Sequence, residues 1–153
     1  MIVVATNVTS ELMRRSPSPA LTTWVRARSA PELYTTSITL AEVRYGIERL
    51  PDGRRKDLLR ITADEVFSTF ADHVLAFDGT AAVEYAGIVS SRERAGEPID
   101  GFDAQIAAIC RARDATLATR NVKDFHGTGI EVTNPWDDRP TGPANCSTTA
   151  AQV

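Results

Sequence analysis

Short apolar runs alternate along the chain with longer stretches apolar on one face only. Ile2-Val3-Val4 reads as a buried strand, with Thr6 and Asn7 turning into a short helix over Val8–Met13. A second helix follows Pro17-Ser18-Pro19, where proline suits a first turn. Leu33–Thr36 is a strand. Thr39–Leu50 places Leu40, Val43, Ile47 and Leu50 on one helical face, and Pro51-Asp52-Gly53 ends it. Another helix covers Arg54–Phe70. Val74–Phe77 is a third strand, with Asp78 capping a helix that stops near Ala95-Gly96. Phe102–Arg113 is helical, Thr116–Thr119 a strand and Ile130–Thr133 an edge strand. This order predicts an α/β fold, a three-layer α/β/α sandwich around a mostly parallel sheet of four to five strands. One domain is expected over residues 1–136. The polar, Pro/Gly-marked segment 137–153 reads as a disordered tail.

Composition narrows the classes. The chain has 153 residues, 42% hydrophobic, enough for one domain with its own core. Cys110 sits in an apolar helical pattern and Cys146 in the polar tail, which argues against a disulfide framework or a zinc site. No apolar run reaches the roughly 18 residues of a membrane span, and the N-terminus lacks a signal-peptide pattern, so a cytoplasmic protein is expected. A net charge of −3 does not advertise a nucleic-acid binder. The cations, however, are 15 Arg and 2 Lys, and Arg is the better bidentate partner for phosphate.

Chemistry enters with carboxylates at places that should be apolar. Asp103 shares a helical stripe with Ile106, Ala107 and Cys110, so its charge faces the core side. Either it caps the helix or a cation lies opposite it. Glu42 stands three residues after Thr39, a spacing compatible with a capping box, yet beside the Leu40 and Val43 face. Thr119-Arg120-Asn121-Val122-Lys123-Asp124-Phe125 follows a short strand, and Asn121 and Asp124 either point into a crevice or cap a turn. In a parallel sheet, position 5, Glu42, Asp103 and this turn converge at the carboxyl ends of the strands. Oxygen donors without His or Cys select Mg²⁺ or Mn²⁺, the ions of in-line displacement at phosphates.

With these residues in view, the sequence resembles a PIN-domain ribonuclease, specifically the VapC toxins of VapBC toxin-antitoxin systems and their FitB-like relatives. MIVVATNVTSEL, ITLAEVRYGIERLP, DAQIAAICRARDATLATRNVKDF and VTNPW carry the likeness, over roughly residues 1 to 136. That family ends its first strand with Asp in D-T-N, where this chain has Ala5-Thr6-Asn7. The resemblance implies that Glu42, Asp103 and Asp124 are catalytic metal ligands with Asn121 and Thr119 beside them, and that Ala5 occupies a vacated ligand position. It also implies Mg²⁺- or Mn²⁺-dependent cleavage of tRNA or rRNA, with activity lost or impaired in this chain because a ligand is missing. Its partners would be an RNA substrate, a second copy forming a homodimer, and a VapB-type antitoxin that blocks the site in a heterotetramer or larger assembly. Arg14, Arg44 and Arg120, close in sequence to these motifs, are candidate phosphate contacts.

Other readings stay open from sequence. A catalytically dead PIN fold would hold RNA or antitoxin without cutting. A receiver-type domain would use Asp78, though it needs acids after the first strand, where Ala5-Thr6 stands. Acid-base cleavage by His73 and His126 would proceed without metal.

Overall fold

The computed structural model of this chain describes residues 1–137. Residues 138–153, which include nearly all of the expected tail, lie outside the described residues. Five strands form one sheet: β1 (Ile2–Val4), β2 (Leu33–Thr36), β3 (Val74–Leu75), β4 (Thr116–Ala118) and β5 (Val132–Thr133). All pairings are parallel and the order is β3-β2-β1-β4-β5. β1 is central, with Val3 opposite both Tyr34 and Leu117.

Alternation along these strands builds the two helical layers, because successive side chains leave a strand on opposite faces. Val3 and Leu117 point into one cluster with Ile88, Ile106 and Ile109, carried by α5 (Gly79–Arg94) and α6 (Gly101–Ala112). Val4 and Ala118 point into the other with Val8, Leu21 and Trp24, from α1 (Thr6–Leu12) and α2 (Pro19–Arg26). A third cluster, Val43, Ile47, Ala63 and Phe67, joins α3 (Ser37–Glu48) to α4 (Arg54–Ser68). Each fully buried Ile or Leu here contributes about 1.5–3 kcal/mol.

The predicted sandwich is therefore present, with five strands and every pairing parallel. Differences fall at element ends. The third and fifth strands are two residues each: the ladder to β2 registers only Val74 and Leu75, and the ladder to β4 only Val132 and Thr133, with Glu131 O accepting from Leu117 N at 2.8 Å just before it. Helix α3 starts at Ser37, two residues before the expected Thr39, because the Thr36 hydroxyl accepts a 3.0 Å bond from the Thr39 amide and so caps the helix. Asp78 caps α5 as expected, accepting from Ala81 N at 3.0 Å. At the end of α6, Asp114 adopts φ 51°, which lets Ala115 N donate to Cys110 O at 2.9 Å and turns the chain directly into β4.

Candidate functional site

Strand β1 ends at Val4, and Ala5 becomes the N-cap of α1 with extended backbone. Its N–H donates to Ala118 O at 3.0 Å, which ties the strand end to β4. A methyl cannot accept from the first-turn amides, so α1 begins without a side-chain cap. The next two residues reach outward instead. Thr6 Oγ1 donates to Glu42 Oε1 at 2.8 Å, and Asn7 Nδ2 donates to Thr119 Oγ1 at 2.8 Å. Asn7 Oδ1 also accepts from Arg120 N at 3.3 Å, so one side chain fixes the strand end of β4 against α1.

Capping does not account for Glu42. Helix α3 is capped by Thr36, which leaves Glu42 one turn further in, bonded to Thr6 rather than to a backbone amide at its own N-terminus. Asp103 is likewise not the cap of α6. That role belongs to Asp100, whose Oδ1 accepts from Phe102 N at 2.9 Å and Asp103 N at 3.4 Å. No Lys, Arg or His pairs with Asp103 among the described residues. Of the two alternatives for Asp103 the cap is removed, and so is a partner cation from the described side chains; a bound cation is not.

Glu42 and Asp103 line one hollow of about 250 Å³ together with Ala5, Asn7, Thr119 and Asn121. Asp124 faces an adjoining hollow of about 180 Å³ with Asp100, Arg92 and Asp103, so Asp103 stands between the two. The electrostatics follow from that crowding. Burial, then the charges of Asp100, Asp124 and Glu42, push the Asp103 carboxyl up to about 6. Burial also raises Glu42, opposed by the Thr6 hydrogen bond and reinforced by Asp100. Negative potential is concentrated around Asp103, and the one cation lining the second hollow among the described residues, Arg92, is bonded to backbone carbonyls rather than to a carboxylate.

Carboxylate, amide and hydroxyl oxygens with no His or Cys form a hard donor set suited to Mg²⁺ or Mn²⁺, ions that use one or two carboxylates and keep several waters. Two anions and neutral oxygens meet that description at its lower limit. Among the described residues no three His, Cys, Asp or Glu side chains stand together as a closed cage. Ala5 lines the same hollow as Glu42 and Asp103.

The arginines divide. Arg44 pairs with Asp64 at 2.5 Å, and Arg14 pairs with Glu11 at 3.2 Å. Arg120 lies over the Trp136 ring at 4.0 Å. Asp100, Thr6 and Asn7 are site residues whose roles sequence reasoning did not assign. Asp100-x-x-Asp103 before an apolar run is a helix-start signature, and that signal points to Asp100.

The family model described as PIN domain matches residues 2–129. The plasmid stability protein StbB of Pseudomonas syringae pv. tomato is 40% identical, over 90% of this chain and 99% of its own. VapC ribonuclease Y4jK of Sinorhizobium fredii is 36% identical with the same coverage. A solved structure of FitAB bound to an IR36 DNA fragment superposes with TM-score 0.84 at 32% identity, covering 93% of this chain and 100% of that one.

Proposed function

This chain belongs to the PIN-domain family, and from that premise we propose that it is the toxin component of a type II toxin-antitoxin system, an RNA-cleaving hydrolase by lineage, impaired by Ala5. The observation that carries the reading is Asp103: a half-buried carboxyl with no ion-pair partner among the described residues, lining one hollow with Glu42 and another with Asp100 and Asp124, where burial and these neighbouring charges push it up to about 6. A fold keeps such a group at a cost, and a divalent cation is the partner that relieves it. PIN-domain ribonucleases generally use a divalent metal.

In this reading Glu42 and Asp103 hold Mg²⁺ or Mn²⁺, Asp124 acts from the adjoining hollow, and Asn121 offers an uncharged oxygen. When bound, the ion supplies Lewis acidity at phosphate and lowers the pKa of water. The chain's own residues do the positioning. Thr6 fixes the rotamer of Glu42, and Asn7 fixes Thr119, whose hydroxyl accepts from Asn121 N at 3.1 Å. The missing anion at position 5 weakens the cation's hold, and an orienting oxygen for the attacking water goes with it.

Partners follow the relatives: an antitoxin of the VapB type, since FitAB is a two-component assembly on DNA, and a second copy of the chain. Among the described residues no helix is long and apolar enough to cross a membrane. The test is Ala5→Asp. It should give RNA cleavage that requires Mg²⁺ or Mn²⁺, stops in EDTA, and arrests growth until the antitoxin is supplied. An inert Ala5→Asp variant that still binds RNA or antitoxin would favour a non-cutting scaffold.

A further inference from the structure

A groove of about 670 Å³ adjoins the acidic hollows beside the turn Val122–Phe125. Two residues join them. Phe125 lines both the groove and the hollow of Glu42 and Asp103, and Arg92 lines both the groove and the hollow of Asp100, Asp103 and Asp124. The groove therefore shares two wall residues with the acidic hollows.

Its surface combines two chemistries. Val122, Phe125 and Ile130 make an apolar wall, and Val122 is 41% exposed. Lys123 and His126 stand at the rim, opposed by one acid, Glu97, 3.9 Å from His126 Nδ1. Lys123 makes no ion pair among the described residues. Arg92 is 8% exposed and holds the back of the groove in shape. Its Nε donates to Glu97 O at 2.5 Å, and its Nη1 donates to Asp124 O at 3.2 Å and to His126 O. All these acceptors are carbonyls. These hydrogen bonds staple the linker before α6 to the turn that carries Asp124.

An apolar slot of this size with a cationic rim matches a nucleotide: unstacked bases pack on apolar and aromatic side chains, and phosphates seek Lys and Arg. An apolar peptide would match the wall but leave the rim unused. We infer that this groove is a nucleotide subsite, which takes the nucleotide of single-stranded RNA next to the bond held over Glu42 and Asp103, its base against Val122 and Ile130, with the buried Phe125 behind them, and its phosphate toward Lys123. The inference rests on the RNA-cleaving reading and adds to it where the strand runs.

The test uses the full chain with a fluorescently labelled eight-nucleotide single-stranded RNA of mixed sequence, in EDTA, by anisotropy. Lys123→Ala should weaken binding about 5-fold and reduce the salt slope by about 0.7, the value for one phosphate contact on a single strand. Val122→Glu should weaken it about 10-fold, since a carboxylate meets both base and phosphate. Both positions are exposed, so melting temperatures should match the parent's. Arg55→Ala, an exposed cation on α4, should change binding less than 2-fold. If both groove variants bind like the parent, or Arg55→Ala weakens binding as much as Lys123→Ala, the subsite is overturned and the RNA reading stands. If the groove variants keep RNA but lose a co-purifying antitoxin, the groove is a protein interface and the inference is wrong. Absence of RNA binding by the parent together with an inert Ala5→Asp variant would overturn both.

Discussion

Position 5 makes two separable demands, a helix cap and a metal ligand, and a pair of substitutions tells them apart. Ala5→Asn supplies a cap oxygen without charge; Ala5→Asp supplies both. Ala5 is 4% exposed but lines the 250 Å³ hollow, which is the space a longer side chain at this position would enter. In EDTA the new cap should contribute about 1 kcal/mol, or about 3 °C in a domain of this size. Asp gains the same cap but places a third anion beside Glu42 and Asp103, at a cost of at least about 1 kcal/mol even at high dielectric. The melting order in EDTA is therefore Asn above the parent, with Asp no higher than the parent.

Mg²⁺ should change that order. Loss of even an outer-shell partner costs about 10- to 100-fold in metal affinity, so restoring a ligand should gain at least as much. If the parent's dissociation constant is about 10 mM and the variant's about 0.1 mM, then 10 mM Mg²⁺ stabilises the parent by about 0.4 kcal/mol and Ala5→Asp by about 2.7 kcal/mol. The assay is a thermal melt of the three proteins across a Mg²⁺ titration. Equal Mg²⁺ sensitivity of the Asn and Asp variants would refute the claim that position 5 faces a cation site.

Other outcomes follow from the same geometry. Raising Asp103 from 3.8 to about 6 would cost about 3 kcal/mol at full effect; half-exposure and solvent screening reduce this to roughly 1 kcal/mol. Because the folded value lies above the unfolded one, the cost is absent below pH 3.8 and complete above pH 6; Asp103→Asn in EDTA should therefore melt about 3 °C above the parent at pH 7.5 and level with it at pH 3.5. Thr6→Val leaves Glu42 without its hydroxyl donor, and urea denaturation should show a loss of about 1–2 kcal/mol at neutral pH. Asp114→Gly relaxes a left-handed backbone at φ 51° and should raise the urea midpoint by the equivalent of about 0.5–1 kcal/mol; an unchanged midpoint would mean that Asp114 carries no strain.

The layers of this fold were legible because each helix and strand carries its own period, and the Asp78 cap because it acts within three residues. Element ends were less so. Thr36 and Thr39 are both good caps on paper, and the choice depends on where β2 releases the chain, a property of the sheet. In the site, Glu42 and Asp103 stood out as charges on apolar stripes. Asp124 looked equivalent to them in sequence, yet from the turn Val122–Phe125 it lines the second hollow and not the one that holds Glu42. Asp100 was hidden by an ordinary capping signature. Arg92 carried no local signal, since its three carbonyl acceptors lie up to 34 residues away.

The central place of β1 has a consequence for synthesis. Strand β1 is made before the strands it pairs with, and it hydrogen-bonds to β2 on one edge and to β4 on the other. Until Thr116–Ala118 has emerged, that second edge stays bare, and the wall formed by Thr119 and Asn121 does not exist. Stalled or truncated translation products should therefore be sticky rather than poisonous, and a cell has the whole interval before β4 pairs in which to make the protein that will restrain it.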